Sequence, residues 1–226
     1  MSSPHDSSAG TRDIRIDCTP EARVTKSLLG YGVIVGPFYV VASVLQGVLT
    51  PGFDFAHDSW SLLSLGAAGW VHIVVFVLTG LMAIAGAIGY RRHIASGPGR
   101  TAWAYLGAYG VLLVAAGAFL PDRPGGTFTA HGALHLLAGG LGFIGFAVWA
   151  FLIARRLAAR SGGLSASSIV AGCLLLVGFI AIATGGGAVW ANILLTIAVV
   201  LSWAWLSVAS VIFYREAAEA GRIEVR

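Results

Sequence analysis

Six long apolar stretches, separated by short segments rich in glycine, proline and arginine, dominate the hydrophobic pattern of the chain. Each stretch is close to the roughly 20 residues that a helix needs to cross a hydrocarbon core of about 30 Å, since each residue rises about 1.5 Å. Glycine and proline interrupt helices, so the separating segments predict turns. The predicted spanning helices are Ser27–Leu49, Trp70–Tyr90, Ala102–Leu120, Ala133–Ala154, Ser165–Thr184 and Trp190–Tyr214.

The composition agrees with a chain that lies in lipid. Hydrophobic residues make up 57% of it and charged residues 11%, and the mean hydropathy is +0.84. A soluble domain carries about one-quarter charged residues, so water alone would not solvate this surface. The sequence therefore predicts an all-α, polytopic membrane bundle of six transmembrane helices over residues 27–214. A disordered cytoplasmic tail is expected at 1–26 and a second cytoplasmic tail at 215–226.

The basic residues predict the orientation of this bundle. They lie before the first span, after the second, after the fourth and after the sixth, whereas the other three loops carry only Arg123. Loops rich in Lys and Arg stay in the cytoplasm, so both termini are expected on the cytoplasmic side of the cell membrane. The clustered residues are Arg12, Arg15, Arg23, Lys26, Arg91, Arg92, Arg100, Arg155, Arg156, Arg160, Arg215, Arg222 and Arg226.

The same distribution bears on the partners of the protein. The formal charge of +4 lies in topology-determining clusters, so no nucleic acid is expected as a partner. The expected partners are the lipid bilayer, a lipid or small-molecule ligand, and a membrane-protein partner or a second copy of the chain. No predicted span carries an acid or a lysine near its middle, which argues against a proton-relay or ion-coupled transporter.

Polar side chains concentrate in the first and third loops, on the predicted outer face. The segment Asp54–Gly66 predicts a short helix lying along the interface, with Asp54 and Asp58 on one face. Trp60 and Trp70 are expected at the level of the lipid headgroups. His72 begins the second span, where a polar ring is expected to face the bundle. The candidate residues of an outward-facing His/Asp pocket are His57, Asp58, Ser61, Ser64, His72 and Asp122.

A second polar group lies at the predicted start of the fourth helix. His131 and His135 are four residues apart, so they project from one face of a helix. Two imidazoles at this spacing can hold one ion of zinc or another divalent metal, and the positive end of the helix favours the neutral ring that a metal requires. In the alternative interpretation, the two rings bond loop carbonyls, and Asp122 pairs with Arg123 or caps a helix.

Two sets of residues, in these loops and in the adjoining starts of the second and fourth spans, carry a family resemblance. The first set is Ser61–Gly66, Gly69, Trp70, Phe76, Thr79 and Gly80, and the second is Phe119–Asp122 and His131–His135. They resemble the two signatures of a bacterial membrane-protein family catalogued as domain of unknown function 998. The resemblance covers Ser27 to Tyr214 and implies a six-helix bundle with no established activity. The chain departs from the family pattern at His72 and Val75, where the resemblance implies amide side chains, so a role of His72 would not extend to the family.

The sequence leaves several functions open, and it does not decide whether the protein is an enzyme. The leading hypothesis is an outward pocket that binds a small ligand, a lipid headgroup or a metal. The second is a metal-dependent hydrolase of a lipid-like substrate, with His131 and His135 as zinc ligands and an aspartate acting on the attacking water. The third is a haem protein with His72 and His135 as axial ligands. The fourth is a structural subunit whose glycine-rich faces pack against another membrane protein.

Overall fold

Six long helices account for most of the computed structural model, which describes residues 17–220 and 222–223 and the side chains of residues 19–220. A short 3₁₀-helix, η1, covers Trp60–Ser64, and two two-residue strands, β1 (Asp17–Cys18) and β2 (Arg222–Ile223), pair antiparallel. The helical fold predicted from the sequence is confirmed. The helices are α1 (Pro20–Leu49), α2 (Gly69–His93), α3 (Ala102–Ala118), α4 (Ala130–Leu157), α5 (Gly162–Thr184) and α6 (Val189–Ala220).

The first and last helices are longer than the predicted spans. The backbone N–H of Ala22 donates to the hydroxyl oxygen of Thr19 at 3.2 Å, and Pro20 occupies the first helical position, so α1 begins inside the segment predicted as a tail. At the other end of the chain, α6 continues through Ala220. The disorder expected for residues 1–16 lies outside the described residues.

The third helix is shorter than predicted. It ends at Ala118, with Phe119 already extended, although the apolar run continues to Leu120. Pro121 explains the difference, because a proline disfavours helical geometry at the residue before it. Of the described helices, five are long and apolar enough to cross a membrane, and α3 is an apolar helix of 17 residues. The chain is therefore a helical, multi-pass membrane protein.

The six helices form a closed ring in which each helix packs antiparallel against its neighbours in sequence. Gly32 of α1 faces Gly86 of α2, with the α-carbon of Gly32 3.2 Å from the position that a β-carbon would take on Gly86. A β-carbon on Gly36 of α1 would lie 2.5 Å from the carbonyl oxygen of Trp203 in α6, so α6 closes the ring against α1. These contacts agree with the small-residue packing that the glycine pattern indicates.

The interior of the ring is filled unevenly. Towards the end that carries the chain termini, Tyr90, Trp149 and Phe213 are almost completely buried and pack edge to face, with ring centroids 5.2–5.9 Å from that of Tyr90. Towards the other end, where the connections 50–68, 119–129 and 185–188 lie, the helices enclose an open space. We call this second end the cavity end.

Candidate functional site

A cavity of about 590 Å³ occupies the middle of the ring at the cavity end. Its floor is a layer of three aromatic rings, in which the centroid of Trp203 lies 5.4 Å from that of Tyr39 and 5.5 Å from that of Tyr109. All three rings are at least nine-tenths buried. Further apolar walls come from Phe76, Phe143, Phe179, Leu112, Leu136 and Val199. The cavity thus resembles the mostly apolar concave sites that hold small molecules in proteins.

Polar side chains join this apolar lining from four parts of the chain. The first loop and η1 contribute His57, Ser59 and Ser61, and the third loop contributes Asp122 and Arg123. Helix α4 adds His135, and α6 adds Asn192 and Thr196, which are one helical turn apart. Residues that are far apart in sequence therefore meet around one space.

The first loop is bound to the bundle by two amide side chains. Gln46 of α1 donates through Nε2 to the carbonyl oxygens of Leu63 (3.0 Å) and Ala68 (3.2 Å). Asn192 of α6 donates through Nδ2 to the carbonyl oxygens of Phe55 (3.0 Å) and Asp58 (3.2 Å). Buried carbonyls in an irregular segment need such donors, so these two amides hold the loop over the cavity.

The interfacial helix predicted for Asp54–Gly66 forms only at Trp60–Ser64, as a 3₁₀-helix. The preceding turn is held by its own carboxylates: Ala56 N–H donates to Asp54 Oδ1 (2.8 Å), and Asp54 N–H donates to Asp58 Oδ2 (2.9 Å). Such side-chain bonds to the backbone compete with helix formation. The backbone N–H of Ala56, followed by the side chain of His57, keeps the pKa of Asp54 below its usual range.

Trp60 does not lie at the surface as predicted. Its side chain is buried, and its ring stacks on Tyr39 with centroids 5.8 Å apart. Trp70, by contrast, is 66% exposed, as expected of a residue that faces lipid. The cavity wall therefore takes up an aromatic ring that the sequence assigned to the headgroup region.

Asp122 is bonded within its own loop. The backbone N–H and the hydroxyl of Thr129 donate to its two carboxylate oxygens at 2.8 and 2.7 Å, and Gly132 N–H donates to the Thr129 hydroxyl at 3.0 Å. The first of these bonds, supported by the second, keeps the pKa of Asp122 below its usual range. Asp122 therefore stays ionised beside the positive N-terminus of α4. Of the two alternatives for Asp122, a pair with Arg123 or a helix cap, this position is closer to the helix cap.

His135 points inward and caps another helix. Its Nδ1 lies 2.9 Å from the carbonyl oxygen of Ala116 and 2.8 Å from that of Phe119, at the C-terminus of α3. The last carbonyls of a helix have no partner within it, so this ring satisfies two of them. His131 is exposed and packs its ring against Phe119, with centroids 5.9 Å apart.

His72 is completely buried and lies beside the cavity rather than on its surface. Its Nδ1 lies 3.2 Å from Gln46 Oε1, and its ring packs edge to face on Phe76, with centroids 4.8 Å apart. Ser64 is also buried and donates to the carbonyl oxygen of Ser61 at 2.6 Å. Of the predicted pocket residues, His57, Ser61 and Asp122 line the cavity, whereas Asp58, Ser64 and His72 support its walls.

The two candidate metal ligands face different partners. His135 bonds carbonyls and lines the cavity, while His131 packs on the surface of Phe119. Within residues 17–220 and 222–223, no group of three or more His, Cys, Asp or Glu side chains is arranged to hold a metal ion. The zinc hypothesis for His131 and His135 remains a sequence-based prediction, and the geometry adds no further ligand to the pair.

Two residues that shape the site, Gln46 and Asn192, were not among the predicted candidates. Both are amides within apolar helices and are at most 8% exposed. A polar side chain inside a spanning segment was the signal that could have identified them. The aromatic floor gave no such signal, because Tyr39, Tyr109 and Trp203 look like ordinary core residues in the sequence.

One comparison with known proteins gives a match. A family model described as "Protein of unknown function (DUF998)" matches residues 33–212 of the chain. No curated protein and no solved structure matches. The matched range contains all the cavity-lining residues and leaves out only the ends of the chain.

Proposed function

The chain belongs to the DUF998 family of proteins of unknown function, and from its geometry we propose that it binds an amphiphilic small molecule in the cavity. We further propose that it crosses the cell membrane six times, with both termini in the cytoplasm and the cavity open towards the outer side.

The arrangement of charges supports this orientation. Among the described residues, the Lys and Arg side chains gather at the end of the bundle opposite the cavity, with Arg123 as the exception. Basic residues that flank spanning helices remain on the cytoplasmic side. A helix of 17 residues is at the lower limit for crossing, and packing within a ring of longer helices allows α3 to complete the sixth span.

The cavity itself is the observation that carries the binding proposal. Its volume of about 590 Å³ is within the range typical of small-molecule sites. Aromatic rings cover its deep part, and polar groups gather near the loops. An amphiphile fits this gradient, because its apolar part would be removed from water and its head would stay near polar partners.

Filling the cavity with a side chain tests this proposal. Gly139 of α4 lines the cavity, and a β-carbon there would meet no atom within 4 Å, so Gly139→Leu places a side chain in open space. Gly30→Leu in α1 is the matched control, since its β-carbon would lie 4.0 Å from Tyr214 at the opposite end.

The probe is 1-O-dodecylglycerol, and its binding is measured by native mass spectrometry of the detergent-purified protein. We expect one saturable copy per wild-type chain, a loss of about tenfold or more in affinity in Gly139→Leu, and wild-type binding in Gly30→Leu. Equal binding by all three proteins would refute a ligand site in the cavity.

A further inference from the structure

Asn192 presents an unpaired acceptor to the site. Its Nδ2 donates to two carbonyl oxygens of the first loop, and carbonyl oxygens only accept, so the orientation of the amide is determined. Its Oδ1 is buried and has no partner among the described residues, although the side chain lines the cavity and is 1% exposed. A buried acceptor without a donor is costly, so this atom is a place for a hydrogen-bond donor from a ligand or water.

His135 supplies a second acceptor on the α3–α4 side of the same cavity. Both partners of Nδ1 are carbonyl oxygens, so in the neutral ring the proton is on Nδ1. Nε2 then carries the lone pair and accepts a hydrogen bond. The ring lines the cavity, and no described side chain or carbonyl is bonded to Nε2.

The charges around the opening make an anionic head unfavourable. The loops at the cavity end carry Asp54, Asp58 and Asp122 against Arg123, a formal net charge of −2. In the cavity lining itself, the carboxylate of Asp122 offsets the charge of Arg123. Of these three carboxylates only Asp122 lines the cavity, and both of its oxygens accept hydrogen bonds from Thr129, so no unengaged carboxylate faces the cavity to pair with an ammonium group. A buried charge without a partner is expensive, whereas a neutral hydroxyl group that donates to a buried acceptor is tolerated.

We propose that the cavity selects an amphiphile whose uncharged head carries hydroxyl groups, with hydroxyls donating to Asn192 Oδ1 and His135 Nε2. This inference rests on the proposed function and specifies its ligand class. A site built from fixed acceptors discriminates against analogues that lack donors, because those analogues leave the acceptors unpaired.

A matched pair of ligands tests the inference on the wild-type protein. 1-O-Dodecylglycerol and its 2,3-di-O-methyl derivative have the same chain and the same oxygens, and only the first has hydroxyl donors. Dodecyl phosphate tests an anionic head, and glycerol tests a soluble polyol without a chain. Dissociation constants come from native mass spectrometry titrations under one detergent condition.

We expect the diol to bind about tenfold or more tightly than the dimethyl derivative, and more tightly than dodecyl phosphate, with no binding of glycerol at matched concentration. His135→Ala should reduce the ratio of the dissociation constants of the two ethers. His131→Ala should leave that ratio unchanged, because the ring of His131 packs on Phe119 outside the cavity.

The outcomes that would overturn this inference are distinct from those that would refute the proposed function as well. Equal affinity of the two ethers, still lost in Gly139→Leu, would overturn the hydroxyl inference and leave the amphiphile site in place. Binding of both ethers without any effect of Gly139→Leu would refute both. Tighter binding of dodecyl phosphate, or equal binding of glycerol, would likewise overturn the hydroxyl-bearing amphiphile.

Discussion

At the scale of single residues, the neighbours of Asp122 determine its role in the structure. Its carboxylate is bonded to both donors of Thr129, and a β-carbon on Gly132 would overlap it. The glycine in the His131–His135 segment therefore leaves room for a carboxylate over the start of α4. This local role agrees with the structural alternative for Asp122, and it does not prevent the same residue from lining the cavity.

The lowered pKa of Asp122 predicts a dependence of stability on pH. Because the folded state holds the pKa below the ordinary Asp value of about 3.9, ionisation of Asp122 favours folding. That contribution is complete above the unfolded pKa and is lost as the pH falls through the folded pKa. Asp122→Asn should therefore lower the thermal unfolding midpoint by a few degrees at pH 7, and the difference should begin to shrink as the pH falls below about 4.

The measurement is thermal unfolding of both proteins in one detergent across that pH range. Asp58→Asn is the comparison, since it lies in the first loop, away from the N-terminus of α4. A wild-type-to-variant difference that stays constant down to pH 3 would show that the charge of Asp122 is not what stabilises the loop.

At the scale of the elements, close helix contacts hold the ring together. Helices α2 and α3 meet where Gly80 and Gly110 face each other, and a β-carbon on either would lie 2.5–2.6 Å from the carbonyl oxygen of the other. Backbone cannot move aside as a flexible side chain can, so these positions do not accept larger residues. Gly107, one turn away on α3, has only an ordinary contact of 3.7 Å to Ala87.

This contrast predicts opposite effects of the same substitution on one helix. Gly110→Ala should destabilise the protein by about 1–3 kcal/mol, because the added methyl group overpacks the contact with α2. Gly107→Ala should be neutral or stabilising by up to about 1 kcal/mol, because alanine favours helix over glycine. Unfolding in mixed micelles with an increasing fraction of SDS measures the free energy of unfolding of both variants. Equal stability of the two variants would contradict the close contact.

At the scale of the whole molecule, the cavity exists because the ring closes. Each helix contributes one side to the interior, and the loops 50–68, 119–129 and 185–188 gather at one end of it. Large rings fill the interior of the half near the termini, whereas the interior at the cavity end is open. The proposed orientation then decides which side of the membrane supplies the ligand.

Cysteine labelling measures that orientation. In a Cys18→Ser/Cys173→Ser background, Ala67→Cys and Ala159→Cys place single thiols at exposed positions of opposite ends. A membrane-impermeant maleimide added to intact spheroplasts should label Ala67→Cys, and it should label Ala159→Cys only after permeabilisation. The reverse pattern would show that the cavity faces the cytoplasm.

The sequence by itself determined the class of protein and the approximate positions of the helices. Apolar runs of spanning length have no stable alternative to helices in lipid, because each buried backbone group needs a partner within its own segment. Where the boundaries were misjudged, a single neighbour was decisive, as Pro121 is for the end of α3. The polar loops were also identified as a group, and His57, Ser61, Asp122 and His135 do line the cavity.

Only the tertiary structure decided which of those polar residues share a surface and which are supports. His72 and Ser64 looked equivalent to Ser61 in sequence, yet burial turns both away from the cavity. The reverse holds for Asn192, whose 134-residue separation from Asp58 conceals a direct hydrogen bond. The periodicity of a helix indicates which residues share a face, but only the closure of six helices into a ring decides what that face meets.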